Sequence, residues 1–317
     1  MASKRIIVPL DGSQLAEAAL PWAERLAVAT NAQIVAFRAA EAHVLPGMNT
    51  GEGEVHALEA AQKYLNDVVA RLTARGLKAW PITAYGRPEE HIAEAARVHD
   101  AAIIVMATHG RSGPGRWLFG GVADKVVRRA TVPVLVVRAR QSPARPWCRL
   151  VVPLDGSPQA EQALAAAADL ARALGLEIVL LQVVEPRMTR IVGEALIYSS
   201  EAIPQDKAAA YQYLDEIAKR LRKRGIAVST AVEVGVSGEG AATYARRPGE
   251  TITSYVKENA VDLIAMCGEY RSGLSHLLLG SVVGDVLHGA DVPVLLMNPR
   301  CSYGSAIDAD GAAIRAA

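Results

Sequence analysis

Residues 6–13 read IIVPLDGS, and residues 150–157 read LVVPLDGS, so the chain states the same motif twice. Three further pairs follow in the same order: IIVM at 103–106 and LIAM at 263–266, RSG at 111–113 and 271–273, and VPVL at 132–135 and 292–295. Each repeat is long enough to bury a core of its own. The chain is therefore predicted to be a duplicated domain and not a solenoid of short units.

Composition sets the broad class of the protein. The 317 residues fit two domains, and 51% of them are hydrophobic while 5% are aromatic, which favours an aliphatic core of helices packed on a parallel sheet. The net charge of +1 leaves no basic excess for nucleic acid. The three cysteines have neither metal spacing nor a disulfide pattern. No apolar run approaches the about 18 residues of a membrane span, and Asp11 comes too early for a signal peptide, so we expect a cytoplasmic protein without a membrane partner.

Apolar runs alternate with helical patterns along the first copy. Strands are predicted at 5–10, 33–39, 77–84, 102–107 and 132–137, and helices begin near 13, 55, 89 and 121. Ser13 and Ser157 are candidate N-caps, Pro21 is expected to kink the first helix, and Gly76 to end the second. This alternation predicts a parallel sheet covered on both faces. The predicted domains are residues 1–140 (the first copy) and 147–299 (the second copy), with a linker at 138–146 and a loose tail at 300–317.

The second copy is longer than the first in two places. It gains 5 residues within 186–206 and 11 more within 236–246. The larger insertion follows the end of a strand, where ligands bind in such sheets. It is either a lid over a binding site or a tolerated loop insertion.

Two features are expected to meet at the carboxyl edge of the first sheet. Asp11 ends the first strand, and a glycine-rich loop at 107–121 follows the fourth strand and leads into a helix. Glycines let a ligand approach the backbone, and the N-terminus of a helix attracts anions. The pattern indicates a phosphate-containing ligand, although a strand-to-helix loop also needs glycine for its turns.

These motifs resemble the universal stress protein family over residues 4–299. In that family a strand ends near Pro-x-Asp-x-Ser, the nucleotide-binding members carry Gly-x-x-Gly, nine residues and Gly-Ser or Gly-Thr, and the domain closes with a strand like VPVLVV. Here the first copy reads ATHG, nine residues and GG (107–121), and the second reads CGEY, nine residues and GS (267–281). The resemblance implies two doubly wound five-stranded parallel-sheet domains of the α/β class, adenine nucleotide alpha-hydrolase-like, with strand order 3-2-1-4-5.

The resemblance also implies which residues surround an adenine nucleotide. In the first copy these are Pro9, Asp11, Ala39, Met106, Ala107, Gly110, Gly120, Gly121 and Val122. In the second copy they are Pro153, Asp155, Val183, Met266, Cys267, Gly280, Ser281 and Val282. The implied cofactor is ATP, with or without Mg²⁺.

Departures from the family motif rank the two copies. In the first copy Ala107 replaces a glycine, and Gly121 lacks the usual hydroxyl but keeps its backbone N–H. In the second copy Ser281 keeps the hydroxyl, but Tyr270 replaces a glycine and Glu269 adds negative charge. The first copy is therefore the better ATP candidate.

The sequence leaves three functions open. The leading one is an ATP-binding stress-response or signalling module without a dedicated catalytic centre and with at most slow ATP hydrolysis, because no second carboxylate or lysine lies near Asp11. The alternatives are a scaffold whose nucleotide sites have decayed and an ATP-using α/β enzyme. Such enzymes carry Ser-Gly-Gly-x-Asp-Ser or His-x-Gly-His, which this chain lacks.

The apolar strands at 132–137 and 292–297 need cover. In the family that the chain resembles, the last strands of two domains often pair antiparallel, so the resemblance implies a pseudo-dimer of the two copies within one chain, with a homodimer as a further assembly.

Overall fold

Ten strands form one continuous sheet in the computed structural model, which describes residues 4–41, 50–108, 121–138, 146–185, 188–192, 195–198, 204–237, 244–268 and 280–301. The strands are β1 (Arg5–Pro9), β2 (Gln33–Ala40), β3 (Ala79–Tyr85), β4 (Ala101–Thr108), β5 (Val134–Arg138), β6 (Arg149–Pro153), β7 (Glu177–Val184), β8 (Met188–Val192), β9 (Ala195–Tyr198), β10 (Val228–Val234), β11 (Val236–Ser237), β12 (Tyr244–Ala245), β13 (Leu263–Cys267) and β14 (Val294–Met297).

The helices are α1 (Gln14–Glu17), α2 (Leu20–Thr30), α3 (Thr50–Ala74), α4 (Pro88–Val98), α5 (Gly121–Arg129), α6 (Pro158–Glu161), α7 (Ala163–Leu174), α8 (Pro204–Arg222), α9 (Pro248–Glu258) and α10 (Ser281–Gly289).

The sheet order confirms the predicted fold class. The first copy has the parallel order β3-β2-β1-β4-β5, which is 3-2-1-4-5, and the second has the equivalent order β10-β7-β6-β13-β14. Helices cover both faces because the strands are apolar on both: Ile6 and Val8 pack toward α2 and α3, whereas Ile7 packs in the cluster that includes α4 and α5. None of these three side chains is more than 2% exposed.

The first helix of each copy is broken, and only the break in the first copy has a proline beside it. Ser13 caps α1 as expected, since its Oγ accepts a hydrogen bond from the N–H of Ala16 at 3.1 Å. The helix then breaks before α2, close to Pro21. The second copy breaks at the same place, between α6 and α7, although Ala165 stands where Pro21 would be. The break therefore belongs to the fold and does not depend on the proline.

The second long helix of the first copy begins earlier than predicted. The helix was expected to begin near residue 55, but α3 begins at Thr50 and includes Gly51 and Gly53. Glycines are tolerated in a first turn, where the backbone N–H groups have no intrahelical partners in any case. Gly76 follows the helix with φ +79°, which confirms the predicted stop.

The two copies meet at their last strands, as the sequence predicted. β5 and β14 pair antiparallel, with Leu135 opposite Leu295, and this pairing covers both apolar edges within one chain. Arg138 lies in β5 and not in a linker; residues 139–145 lie outside the described part of the chain. At the start of the second copy Trp147 is buried and stacks on Trp22 of α2, with ring centroids 5.4 Å apart.

Polar side chains fasten the same interface symmetrically. Arg138 Nη2 donates to the carbonyls of Leu287 and His288, at the end of α10. Its counterpart Asn298 donates through Nδ2 to the carbonyls of Val127 and Ala130, at the end of α5. Each copy therefore satisfies carbonyls at a helix end of the other. Beyond this point the chain is described only to residue 301.

Both insertions of the second copy contain short strand pairs. β8 pairs with β9 in the first insertion, β11 pairs with β12 in the second, and β12 lies beside β9. The N–H of Arg246 donates to the carbonyl of Gly235 at 2.8 Å and closes the stem of the second insertion. In the first copy, β3 instead leads directly to α4 through Gly86 and Arg87. Within the described residues, no helix is long and apolar enough to cross a membrane.

Candidate functional site

An Asp-Gly-Ser corner follows the first strand of each copy. In the first copy Asp11 Oδ1 accepts a hydrogen bond from the N–H of Ser13 at 2.8 Å, and Gly12 has φ +88°. In the second copy Asp155 accepts from Ser157 at 2.9 Å, and the intervening glycine has φ +84°. A positive φ favours glycine, and the turn holds each exposed carboxylate at the carboxyl edge of the sheet.

The other predicted residues that the structure describes lie along the same edge. Pro9 and Pro153 are the last residues of β1 and β6. Ala39 and Val183 are the next-to-last residues of β2 and β7. The remaining residues lie at the end of the fourth strand and the start of the following helix. In the first copy these are Met106, Ala107, Gly121 and Val122. In the second copy they are Met266, Cys267, Gly280, Ser281 and Val282. Gly110, Gly120 and Tyr270 lie outside the described residues.

The two methionines do not face open solvent. Met106 and Met266 are each 5% exposed and belong to the core cluster that includes the helices after the third and fourth strands. They form the floor below the edge, and their neighbours Ala107 and Cys267 are partly exposed. A ligand at this edge would contact the backbone of these strand ends more than the methionine side chains.

The helix that follows the fourth strand presents its N-terminus at this edge. Gly121 begins α5 and is exposed, while Gly280 is the N-cap of α10. Because a glycine N-cap has no side chain to accept a hydrogen bond, the first N–H groups of α10 remain available to an anion. In the second copy, Gln159 Nε2 also donates to the carbonyl of Gly268 at 2.8 Å and ties the first helix to the end of β13.

A tyrosine, a glutamate and an arginine form the same bridge in both copies. Tyr64 donates to Glu17 at 2.9 Å, and Arg71 pairs with the same carboxylate at 2.8 Å. In the second copy Tyr213 donates to Glu161 at 3.1 Å, and Arg220 lies 3.4 Å from it. Burial, followed by the neighbouring glutamate, raises the pKa of each tyrosine hydroxyl. Both tyrosines are therefore neutral donors at physiological pH.

The two copies differ in what lies between this tyrosine and the Asp-Gly-Ser corner. In the first copy Arg38, on β2, places its guanidinium 5.1 Å from the ring centroid of Tyr64. Its Nη1 is also 3.2 Å from the point that a Cβ on Gly12 would occupy. Among the described residues Arg38 forms no ion pair. A positively charged side chain thus lies beside the corner.

The second copy has a cavity where the first has Arg38. Gln182 stands at the equivalent position, and a cavity of about 450 Å³ opens beside it, lined by Gly156, Gln182, Val183, Val184, Glu185, Asp206, Ala209, Ala210 and Tyr213. No described atom lies within 4 Å of the point that a Cβ on Gly156 would occupy. Gln182 Oε1 is buried and accepts no hydrogen bond from the described residues. Among the described residues, the second copy therefore has open space and an uncharged side chain where the first copy has a guanidinium.

Sequence reasoning missed Arg38, Gln182 and the tyrosine bridge. The signal was present in the repeat, because Glu17 and Glu161 are 144 residues apart while Tyr64 and Tyr213 are 149 apart. The five-residue insertion lies between Glu161 and Tyr213 of the second copy. The equivalence of the two bridges is therefore visible only when the copies are aligned separately before and after the insertion.

The cysteines at the second site are unsuited to nucleophilic chemistry. Burial raises the pKa of Cys267 to about 12 and that of Cys301 to about 11. Thiols with such pKa values are protonated at neutral pH, and only the thiolate is a nucleophile. Within the described residues, no group of three histidine, cysteine, aspartate or glutamate side chains could hold a metal ion.

Comparison with known proteins gives one family. The model of the universal stress protein family matches residues 2–138 and again 147–298. A universal stress protein of Mycobacterium tuberculosis is 27% identical over 307 residues, covering 92% of this chain and 96% of the relative. The crystal structure of a universal stress protein from Archaeoglobus fulgidus covers 94% of this chain and 99% of that one, with a TM-score of 0.72 and 21% identity. A universal stress protein solved in complex with cAMP is 24% identical, covers 44% of this chain and 99% of that one, and has a TM-score of 0.34.

Proposed function

Since the chain belongs to the universal stress protein family and contains two copies of its domain, we propose that it is a stress-response module that binds ATP in its first copy. The observation that carries this proposal is the cation at the first site. Arg38 stands beside Gly12 without a carboxylate partner among the described residues, whereas the second copy has Gln182 there.

Three features of the first copy support an anionic ligand. Asp11 is held by Ser13 and can accept a hydrogen bond from a ribose hydroxyl through its second oxygen. Gly121 begins α5, whose N-terminus carries the positive end of the helix dipole. Arg38 adds a full positive charge on the other side of the corner, and charge-assisted hydrogen bonds to phosphate are among the strongest that proteins form.

The described residues support binding more than catalysis. Asp11 already accepts a hydrogen bond from the backbone, and the hydroxyl of Tyr64 is committed to Glu17. A general base must lie within hydrogen-bond reach of the proton that it removes and be free to accept it. We therefore propose that bound ATP changes the contacts of the carboxyl edge, and through them the partners of the protein in the cytoplasm, while hydrolysis is slow at most.

The test is to measure ATP binding to the full-length protein by isothermal titration calorimetry, with and without Mg²⁺, together with the nucleotide content of the purified protein. Asp11→Ala should remove ATP binding, and the matched variant Asp155→Ala should leave it unchanged. Arg38→Gln should weaken ATP binding by about tenfold or more, the worth of one charge-assisted contact. Loss of ATP in Asp155→Ala alone would reverse the assignment of the copies, and the absence of ATP binding in the wild type would refute the proposal.

A further inference from the structure

We propose that the second copy binds a small organic cation, a guanidinium or primary ammonium compound, in the cavity between Tyr213 and Gly156. This site is separate from the proposed ATP site of the first copy and does not depend on it. The argument rests on a comparison of equivalent positions within one chain.

The first copy shows which chemical group this part of the fold accommodates. There the guanidinium of Arg38 lies over the ring of Tyr64 and against Gly12. A guanidinium over a tyrosine face is a favourable cation–π arrangement. The first copy therefore carries its cation as part of its own chain.

Among the described residues, the second copy keeps the surroundings of that guanidinium but has Gln182 in place of Arg38. Tyr213 makes the same hydrogen bond to a glutamate as Tyr64 does. Gly156 forms the same turn as Gly12, with open space in front of it among the described residues. Gln182 is shorter than arginine and uncharged, and its buried Oε1 lacks a donor from any described residue.

The charge of the cavity points to the same class of ligand. Glu185 and Asp206 lie in its wall and are exposed, so both can meet a cation at the rim. Ala57 stands in the first copy at the position of Asp206, so positions 182 and 206 together carry one positive charge fewer and one negative charge more than positions 38 and 57. Lys207, which follows Asp206 in the chain, interacts with Glu233. It lowers the pKa of Glu233, but burial raises that pKa by more. A phosphate group would meet these carboxylates, and none of the described residues that line the cavity is a cation.

The size of the cavity requires more than a bare guanidinium ion. Its volume of about 450 Å³ lies in the range of small-molecule sites, and Val184, Ala209 and Ala210 line it with apolar surface. The ligand is therefore expected to have a short apolar body attached to its cationic head.

The experiment compares two isosteric probes on the full-length protein by isothermal titration calorimetry. Butylguanidinium carries the charged head, and butylurea has the same shape without the charge. We expect one butylguanidinium to bind per chain, with butylurea at least about tenfold weaker because it lacks the charge that the ring and carboxylates favour. Equal binding of the two probes, or no binding of butylguanidinium at millimolar concentration, would overturn the proposal.

Variants place the probe in this cavity. Gln182→Arg supplies the guanidinium of the first copy and should abolish binding, while Asp206→Asn, at the exposed start of α8, should weaken it several-fold. The matched control Glu216→Gln removes the same charge from an exposed position farther along α8 and should leave the affinity unchanged. Asp11→Ala should also leave it unchanged, which separates this proposal from ATP binding in the first copy. Wild-type affinity in both Gln182→Arg and Asp206→Asn would place the probe elsewhere and refute the proposal.

Discussion

Asn298 offers the sharpest test of how the two copies are held together. Its side chain is 2% exposed, and its amide donates to the carbonyls of Val127 at 2.8 Å and Ala130 at 2.5 Å. Asn298→Ala removes both bonds and leaves two buried carbonyls of α5 without these donors. Each such loss costs about 1–3 kcal/mol, so we expect the variant to lose about 2–4 kcal/mol of unfolding free energy.

Asn298→Asp separates the loss of the donor from the loss of volume. The carboxylate keeps the size of the side chain and its acceptor for the N–H of Arg300, which now lies 2.7 Å from Asn298 Oδ1. It presents negative charge to two carbonyls at the negative end of a helix. The aspartate variant should therefore be less stable than the alanine variant at neutral pH. Its stability should recover in acid, because burial raises the folded-state pKa of the new carboxyl above its unfolded value and favours its protonated, donating form.

Urea unfolding followed by tryptophan fluorescence measures the effect, since Trp22 and Trp147 stack at the interface. With a slope of about 3 kcal/mol per M, a loss of 3 kcal/mol moves the midpoint by about 1 M. The control is Arg138→Ala on the symmetric side, where the side chain is 23% exposed and water can replace part of what is lost. Midpoints within about 0.2 M of wild type for both Asn298 variants would refute the reasoning.

Two further predictions concern the helix pairs of the separate copies. A Cβ on Gly249 would collide with Cβ of Asp285, so Gly249→Ala should lower the free energy of unfolding in urea by about 1–3 kcal/mol. A Cβ on Gly284 would have no described atom within 4 Å, so the control Gly284→Ala should be neutral or stabilising. Equal urea midpoints for the two variants would contradict this. In the first copy a hydrogen bond from Lys125 holds the pKa of the buried Glu89 below its usual value. The ionised pair therefore stabilises the fold at pH values above the pKa of Glu89 in the unfolded chain. This stabilisation is lost as the pH falls through the pKa of Glu89 in the folded protein. The difference in melting temperature between wild type and Glu89→Gln should therefore shrink in acid, and a constant difference across pH would show that ionisation of Glu89 is not its source.

The sequence predicted the architecture because the determinants of the sheet are local and occur twice. Residues 6–8 form an apolar run, and the structure buries it on both faces. Ser13 and Ser157 precede their helices and act as the predicted caps. The matching VPVL segments predicted two apolar edges that need cover, and the family resemblance implied the antiparallel pair that β5 and β14 form.

The finer features of the sites could not be predicted because they depend on contacts between distant elements. Arg38 occupies an alternating position on a strand and reads as a solvated side chain. Only packing of β2 against α3 places it over Tyr64. The break after α1 lies beside Pro21, as the sequence predicted, but the equivalent break in the second copy occurs without a proline and could not be predicted from a local signal.

The differences between the copies are concentrated where each copy would act, and this argues against interchangeable halves. The Asp-Gly-Ser corner and the tyrosine bridge are the same in both copies, as expected for parts that hold the carboxyl edge together. The charge beside the corner differs, because the first copy has Arg38 where the second has Gln182. The interface is also unequal: Trp22 and Trp147 fill one side, while Ala166 replaces Trp22 on the other, where an apolar cleft of about 60 Å³ remains. The difference between Arg38 and Gln182, each beside the same tyrosine, alters the chemistry of the site while the sheet beneath it stays the same.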